Sequence, residues 1–280
     1  MSNKNLSILF TGQGSQYPEM GVELASKFKW IKERYEQSSD ILGYDVLKNQ
    51  ENLHLLNLTE YSQPAIFIYT SILIDFIRDR LKTPVSNITL AGHSLGEYSA
   101  LYFANSLVFE DMLKVVKFRG EAMSIVSDPT KYSMYAILKK EDQIIDNSIF
   151  GNGVYLANLN SDRQIVICGL RDDLESFKDK HTLGKYVPLN VSAPFHSELM
   201  IESSNIFNDK ISDIMFNEVQ TDVISNHMLI NYKNISKFEY SRQLKVQIHS
   251  PVMWSDTIQK IISSNTDSFI EIGPKKTLLN

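Results

Sequence analysis

Short apolar runs that lead into glycine-bearing turns mark the first hundred residues of the chain. Leu6–Phe10 is apolar and is followed by Thr11-Gly-Gln-Gly-Ser-Gln16, which predicts a buried strand that ends in a functional loop. Asn87–Ala91 repeats this pattern and leads into Gly92-His-Ser-Leu-Gly96 and a predicted helix to about Asn105. The pattern therefore predicts two buried strands, each ending at a turn where a functional group can be presented.

Helical periodicity dominates the longer segments that surround these strands. Pro64 stands where a first helical position is expected, and apolar residues recur at helical spacing from there to Ile77. Phe109–Val126 predicts a second amphipathic helix. Towards the end of the chain, Ser197–Phe216 is predicted to be helical and Ser268–Ile272 to be another buried strand.

From about residue 127 the pattern changes to short strands that alternate with helices. The predicted strands are Met134–Leu138, Val154–Asn158, Gln164–Cys168 and Tyr186–Val191, and the predicted helices are Glu141–Asp146 and Asp172–Lys180. This order is the split βαβ pattern of ferredoxin-like domains. We expect an α/β fold in which residues 1–126 and 195–280 form a large α/β-hydrolase-like catalytic domain, discontinuous in sequence. Residues 127–194 would form a small inserted ferredoxin-like α+β domain.

Composition excludes several classes of function. The 280 residues are 43% apolar and 22% charged, which is ordinary for a globular protein. A net charge of −5 without a Lys/Arg cluster argues against nucleic acid as the main partner. The single cysteine, Cys168, cannot form an internal disulfide or a cysteine-rich metal site, and we expect no bound metal. No apolar stretch suits a signal peptide or a membrane span, so we expect a cytoplasmic protein without a membrane partner.

The strongest chemical signal is Gly92-His93-Ser94-Leu95-Gly96. A Gly-x-Ser-x-Gly sequence between a strand and a helix is typical of the nucleophile elbow, in which a sharp turn exposes the serine hydroxyl. The flanking glycines permit close backbone approach, and amides at the start of the helix stabilise negative charge. The alternative is a tight strand-to-helix turn in which the serine only caps the helix. We favour Ser94 as a nucleophile.

A serine nucleophile needs a base, because its hydroxyl is unreactive at neutral pH. Among the six histidines, His93 adjoins the serine, where chain geometry usually keeps the two side chains from meeting productively. His196 follows Pro194, which ends an extended segment immediately before a predicted helix. Active sites of α/β proteins gather at such sheet edges. His196 is therefore the candidate base, against the alternative of an ordinary surface or core histidine.

Two further motifs have both a structural and a functional interpretation. Gly12-Gln-Gly-Ser-Gln16 lacks the spacing of a dinucleotide-binding loop and the lysine of a P-loop. It fits a loop whose backbone amide binds a developing negative charge, or only a tight turn. Arg119 is either an exposed helical arginine paired with a carboxylate of the protein, or a residue whose guanidinium binds a substrate carboxylate through bidentate hydrogen bonds. The local sequence does not decide between these interpretations.

Taken together, these segments resemble the malonyl-CoA:acyl-carrier-protein transacylase family and the acyltransferase domains of polyketide synthases. The matching motifs follow the family's order along almost the whole chain: Gly12–Gln16, Gly92–Gly96, Arg119–Met123, Asn158–Ser161, Gln164–Gly169, Phe195–Met200, Gln247 with Pro251–Trp254, and Glu271–Pro274. Thr11–Tyr17 and Tyr61–Ala65 look more like the polyketide-synthase enzymes than the fatty-acid ones. A freestanding chain of this kind resembles the trans-acting acyltransferases that serve synthases lacking their own domain.

The resemblance implies a role for each matching catalytic residue. Ser94 would take the acyl group from the coenzyme A thioester as an ester. His196 would remove the serine proton and later activate the carrier-protein thiol, with its imidazole oriented by the backbone carbonyl of Gln247 rather than by a carboxylate. Backbone amides of Gln13 and Leu95 would form the oxyanion hole. No cofactor would be bound; the acceptor would be the phosphopantetheine of an acyl carrier protein.

The resemblance also implies how the acyl group is chosen. Arg119 would hold the free carboxylate of malonyl-CoA and reject uncharged acyl groups. His93 and Asn160 would line the acyl pocket. Phe195 resembles the malonyl version of its motif, in which a bulky side chain leaves little room for an α-methyl branch, although a single methyl is typically worth only about 1–3 kcal/mol.

The chain departs from the family pattern at its end. Lys275 stands where a glycine is common after Gly-Pro, and the chain stops at Asn280, short of the usual closing helix. These departures bear on two expectations taken from the family, the C-terminal packing and the completeness of the chain.

Four other functions compete with malonyl transfer in polyketide synthesis. A malonyl transacylase of fatty-acid synthesis would share every site residue. An acyl hydrolase of the same fold, which clears acyl groups from carrier proteins, would gain nothing from Arg119 if its acyl chains are uncharged. An α/β-hydrolase esterase would use His227 or His249 with a nearby aspartate, but its His-Gly-Gly-type loop is absent. A non-enzymatic carrier-binding protein would tolerate the loss of Ser94 or His196.

Overall fold

Two separate sheets organise the chain. The computed structural model describes residues 4–78, 80–139, 147–191 and 193–279. Within them the strands are Leu6–Phe10 (β1), Ile88–Gly92 (β2), Tyr132–Lys139 (β3), Val154–Ser161 (β4), Gln164–Leu170 (β5), Gly184–Pro188 (β6), Asp222–Ile224 (β7) and Ser268–Ile272 (β8). The α-helices are Val22–Lys27 (α1), Lys29–Leu42 (α2), Val46–Glu51 (α3), Leu53–Leu56 (α4), Thr59–Arg78 (α5), Gly96–Phe103 (α6), Phe109–Ser124 (α7), Arg171–Lys180 (α8), Ile201–Ile211 (α9), Tyr240–Ile248 (α10) and Trp254–Ser263 (α11).

The first sheet is parallel, with strand order β7-β2-β1-β8. Its inner strand β1 pairs residue for residue with β2 and β8, so that Leu6 lies opposite both Ile88 and Ser268. Every residue of β1 is buried, as expected for a parallel strand covered on both faces. Because all four strands run the same way, the loops that follow β1, β2 and β8 meet at one edge of the sheet.

The second sheet is antiparallel, with strand order β4-β5-β3-β6. One face packs against α8 in a separate apolar cluster whose buried members are Tyr135, Ile137, Val154, Ile165, Ile167, Leu174 and Phe177. The alternate side chains of the same strands join the main core, among them Met134, Ala136, Ala157, Val166 and Cys168. Because side chains alternate between the two faces of a strand, the second sheet packs against α8 on one face and against the main core, which contains residues of the parallel sheet, on the other.

A short parallel bridge also connects the two parts. Asn158 in β4 pairs with Val252, which precedes α11. The Leu159 amide donates to the Val252 carbonyl at 2.8 Å, and the Val252 amide donates to the Ala157 carbonyl at 2.9 Å. This bridge holds the end of β4 next to the edge where the loops of the parallel sheet meet.

The coarse prediction of an α/β chain with a parallel sheet and a second, smaller sheet is confirmed. Strands β1 and β8 coincide with their predicted ranges, and α7 ends two residues before the predicted Val126. The strand predicted at Tyr186–Val191 is β6, which begins two residues earlier and ends at Pro188, because its pairing with β3 starts at Gly184. The predicted helix Glu141–Asp146 lies outside the described residues.

Two predicted helix boundaries are wrong. Helix α5 begins at Thr59 rather than at Pro64, because the Leu58 carbonyl accepts the amides of Tyr61 and Ser62 and closes the first turn before the proline. Predicted helix 197–216 is a 3₁₀ turn followed by α9, which ends at Ile211. Among the described residues, no helix is both long and apolar enough to cross a membrane.

Candidate active site

Ser94 occupies a strained turn between β2 and α6. Its φ of 51° lies in the left-handed region, which is unfavourable for a residue with a side chain and is common where a turn presents a functional group. The residue that caps α6 is Leu95, with no side-chain capping bond, so the interpretation of Ser94 as a helix cap is wrong. The turn instead presents the serine hydroxyl at the edge of the parallel sheet.

Two glycines allow the loop after β1 to pack directly against this turn. A Cβ atom on Gly12 would lie 2.4 Å from the His93 carbonyl oxygen, and one on Gly96 would lie 2.1 Å from the Phe10 carbonyl oxygen. The His93 amide donates to the same Phe10 carbonyl at 2.9 Å. The two motifs are therefore in backbone contact, which any larger residue at these glycine positions would prevent.

His196 lies next to Ser94 and is oriented by a backbone carbonyl. Its Nε2 is 2.7 Å from Ser94 Oγ, and its Nδ1 is 3.0 Å from the carbonyl oxygen of Gln247. A carbonyl only accepts, so Nδ1 carries the proton and Nε2 is the free acceptor for the serine hydroxyl. His196 also has a positive φ, of 61°, so both members of the pair sit on strained backbone.

The surroundings keep His196 neutral. Its side chain is buried, and burial lowers its pKa to about 3, with the positive charge of Arg119 as the second cause. A neutral imidazole is the form that accepts a proton. The pair therefore has the geometry and the protonation state of a serine nucleophile with its general base.

Arg119 places a buried positive charge beside the nucleophile. From α7 its guanidinium donates through Nη1 to Gln63 Oε1 at 2.8 Å, and through Nη2 to Gln247 Oε1 and Ser94 Oγ, both at 3.0 Å. The residue is 1% exposed, and none of these hydrogen-bond partners is a carboxylate. A buried arginine with neutral partners is suited to receive an anionic group at this point.

A cavity of about 560 Å³ opens over the reactive pair and lies between the two sheets. Residues Gln13, Ser94, Arg119 and His196 line it from the part that carries the parallel sheet, and Asn160 lines it from the antiparallel sheet. The remaining lining includes Met123, Met134, Asn158, Val166, Leu189, Val191, Phe195 and Lys275. The mixture of apolar walls and a few polar groups is typical of a small-ligand site.

His93 and Asn160 both line this cavity and are in direct contact with each other. The His93 Nε2 and Asn160 Oδ1 atoms are 3.0 Å apart, and Asn160 Nδ2 donates to Gln164 Oε1 at 2.9 Å. Burial lowers the pKa of His93, so its ring is neutral near pH 7 and Nε2 can donate to the amide oxygen. The bond ties the turn of the first sheet to β4 of the second.

The structure brings all nine predicted site residues to this one place. Seven line the cavity: Gln13, His93, Ser94, Arg119, Asn160, Phe195 and His196. Gln247 is hydrogen-bonded to both His196 and Arg119. The side chain of Leu95 is buried, so Leu95 can contact a substrate only through its backbone. Within the described residues, the backbone amides of Gln13 and Leu95 donate no hydrogen bond and are free to bind a substrate oxygen.

Sequence reasoning missed three polar residues that support the site. Gln63 holds Arg119, and Asn226 Oδ1 accepts from the Ser94 backbone amide. Glu97 is fully buried immediately after the elbow. Polar residues inside otherwise apolar helices were the available signal for Gln63 and Glu97, whereas Asn226 has none. The esterase candidates His227 and His249 make no hydrogen bond with Ser94 in the part of the chain that is described.

Comparisons with known proteins place the chain among acyltransferases. Residues 8–280 match a family described as acyl transferase domain. Over 273 residues the chain is 36% identical to a malonyl CoA-acyl carrier protein transacylase from Synechocystis sp., covering 96% of this chain and 90% of that protein. It is 32% identical to the polyketide biosynthesis malonyl CoA-acyl carrier protein transacylase PksC of Bacillus subtilis, over 98% of this chain and 94% of that protein. An acyl carrier protein S-malonyltransferase structure from Vibrio cholerae superposes with a TM-score of 0.88 at 30% identity, over 98% of this chain and 92% of that chain.

Proposed function

Because the chain belongs to the acyl transferase domain family, we propose that it moves a malonyl group from malonyl-CoA to the phosphopantetheine thiol of an acyl carrier protein. The observation that carries this proposal is the 3.0 Å contact between the buried guanidinium of Arg119 and Ser94 Oγ. A cation at that distance from the nucleophile selects an acyl group that ends in a carboxylate.

In the first half of the proposed reaction, Ser94 Oγ attacks the thioester carbonyl of malonyl-CoA while His196 Nε2 takes the serine proton. The carbonyl oxygen becomes negative and accepts hydrogen bonds from the free amides of Gln13 and Leu95. Collapse of this intermediate breaks the carbon–sulfur bond, and His196 gives its proton to the departing thiolate, so that coenzyme A leaves as the free thiol. The product is a malonyl ester on Ser94.

The second half repeats these steps with the carrier protein. The phosphopantetheine thiol gives its proton to His196 Nε2 and attacks the ester carbonyl. The same amides of Gln13 and Leu95 stabilise the oxyanion, and the proton returns to Ser94 Oγ when the ester bond breaks. Throughout, the Gln247 carbonyl accepts from His196 Nδ1 and stabilises the imidazolium that forms.

The proposed acyl selection depends on a contact that the substrate must replace. The malonyl carboxylate takes the place of Ser94 Oγ on Arg119 Nη2, which frees the hydroxyl to attack. Phe195, on the wall of the same cavity, restricts space for an α-methyl branch. His93 and Asn160 also line this cavity, where they would contact the acyl group.

We also propose that the two sheets mark two domains. Residues 1–126 and 195–280 would form the large, α/β-hydrolase-like domain, and residues 127–194 the ferredoxin-like insert. The strand order β4-β5-β3-β6 supports the insert, because it is the order that a split βαβ unit produces. The elbow between β2 and α6 supports the hydrolase-like description of the large domain.

A polyketide setting is proposed for the reaction, since Thr11–Tyr17 and Tyr61–Ala65 look more like the polyketide-synthase sequences. A malonyl transacylase of fatty-acid synthesis is the alternative, and its chemistry at Ser94 and His196 would be identical.

The test offers malonyl-CoA and a holo acyl carrier protein to the enzyme together. Mass spectrometry of the carrier and assay of free malonate then divide the products into transfer and hydrolysis. We expect malonyl-carrier to exceed free malonate by at least about tenfold, because the thiol competes with water for the same acyl-enzyme. Free malonate as the main product would show an acyl hydrolase instead.

A further inference from the structure

Glu97 is a fully buried carboxylate for which the proposed transfer steps have no use. It lies in the first turn of α6, three residues after the nucleophile, and is 0% exposed. Its Oε1 accepts from the Tyr232 hydroxyl, and its Oε2 accepts from the Asn226 amide and Gln247 Nε2, both at 2.9 Å. A buried carboxylate is costly unless its oxygens are satisfied, and these three donors satisfy both oxygens of Glu97.

One branch of this network leads through Gln247 to the base. Gln247 Nε2 donates to Glu97 and, at 3.0 Å, to the Ser94 carbonyl oxygen, while its Oε1 accepts from Arg119. A carboxylate only accepts, so Glu97 determines which end of the Gln247 amide faces inward and leaves the oxygen for Arg119. The same residue's backbone carbonyl orients His196, so fixing Gln247 also fixes the base.

The other branch leads through Asn226 to the nucleophile. The Asn226 amide donates to Glu97 Oε2, and its side chain then accepts from the Ser94 amide and donates to the Gly92 carbonyl. These bonds hold the backbone of the elbow at the Gly92 carbonyl and at the Ser94 amide, immediately before the Cα atom of the residue whose φ is 51°. Strained backbone of this kind persists only where the surroundings over-determine it.

We propose that Glu97 is a positioning residue for the acyl transfer. It acts through hydrogen bonds to Gln247 and Asn226, which in turn keep His196 and Ser94 within hydrogen-bond distance of each other. The inference rests on the proposed function, since it assigns the carboxylate to that reaction. Its hydrogen-bond geometry, rather than its charge, does the positioning. Glutamine at this position would keep that geometry: its oxygen receives both amide donors, and its amino group faces the Tyr232 hydroxyl, which can rotate to accept.

The test compares E97Q, E97D and E97A in the full chain by the rate of malonyl ester formation on Ser94. We expect E97Q within about threefold of wild type, E97D at least about tenfold slower and E97A about a hundredfold slower, because misplacement of reacting groups by about 1 Å can cost about a hundredfold in rate. The KM for malonyl-CoA should change less than about threefold, since substrate contacts remain. Y232F is the matched control, since it removes one Glu97 bond without touching either branch, and should also stay within about threefold.

Two results would overturn the proposal: folded E97A that acylates within about threefold of wild type, or E97D that equals or exceeds E97Q. The second comparison still decides if E97A fails to fold. An alkyl fluorophosphonate reacts with a serine that is activated by a base and carries no malonyl group. Its reaction with Ser94 therefore tests the positioning role of Glu97 separately from the proposed malonyl transfer. If wild type reacts with this probe but not with malonyl-CoA, the proposed function fails, and the order of the Glu97 variants toward the probe still tests the positioning role.

Discussion

Arg119 is almost fully buried and its hydrogen-bond partners are neutral, a combination that it shares with Glu97 among the charged residues described. The ion pairs of the described surface, such as Lys27 with Glu23, are solvated and contribute little to stability. Arg119 instead stacks 5.1 Å above the Tyr98 ring and points two donors toward the nucleophile region. We therefore expect Arg119 to contribute mainly to the binding of an anionic group beside Ser94 rather than to the stability of the fold.

Arg119→Ala should lower kcat/KM for malonyl loading far more than for acetyl loading. Loss of a charge-assisted hydrogen bond to the substrate carboxylate costs about 2–3 kcal/mol, or roughly 30- to 150-fold in rate. Acetyl-CoA has no carboxylate and serves as the internal control, with an expected change below about fivefold. Steady-state loading of the two thioesters measures both values. Equal losses for both would mean that Arg119 has only a structural role.

The protonation of His196 leads to a second prediction at the residue scale. Its pKa is about 3 in the folded chain, against an ordinary value of 6.5, so the imidazole stays neutral through mildly acidic conditions. The rate of Ser94 acylation should therefore stay flat from pH 8 down to about pH 5. Pre-steady-state loading across this range measures it. An acid limb with an apparent pKa near 6.5 would contradict the buried, neutral base.

The same shift has a consequence for stability. Between pH 6.5 and about 3 the unfolded chain binds a proton at this histidine that the folded chain does not. His196 therefore makes the free energy of unfolding fall as the pH falls through that window.

Among the elements, those with a strong local pattern were predictable. Strands β1 and β8 are short, apolar and bounded by turn residues, and their predicted ranges match the structure. The three-residue strand β7 and the short N-terminal helices α1 and α3 were not predicted, because segments of that length carry almost no periodicity. Helix α5 was placed too late because Pro64 is a typical helix-start signal, yet here the first turn forms upstream of it.

The candidate site shows the same division. Ser94 was a candidate because of the glycines beside it in the sequence, and His196 because of its position after Pro194. The resemblance chose between the two interpretations of Arg119 and supplied Gln247. The hydrogen bond between Glu97 and Gln247 joins residues 150 positions apart, so no local sequence pattern predicts it. Such contacts depend on how the elements pack, which a single sequence does not show.

At the scale of the whole molecule, the cavity forms where four distant parts of the chain meet. The loops after β1 and β2 supply Gln13 and Ser94, the segment that leaves β6 supplies His196, and the second sheet supplies Asn160. The backbone bridge between Asn158 and Val252 fixes strand β4 of the second sheet to the segment before α11. A two-sided cleft of this kind admits the long phosphopantetheine arm that both proposed substrates share.

The most direct test of malonyl transfer through Ser94 is the intact mass of the protein after incubation with malonyl-CoA alone. Wild type should gain one malonyl group, localised to Ser94 by peptide mapping, because the first half-reaction needs no carrier protein. The Ser94→Ala protein should gain none. Labelling that survives in Ser94→Ala, or a wild-type protein that takes up no malonyl group, would contradict the proposed function.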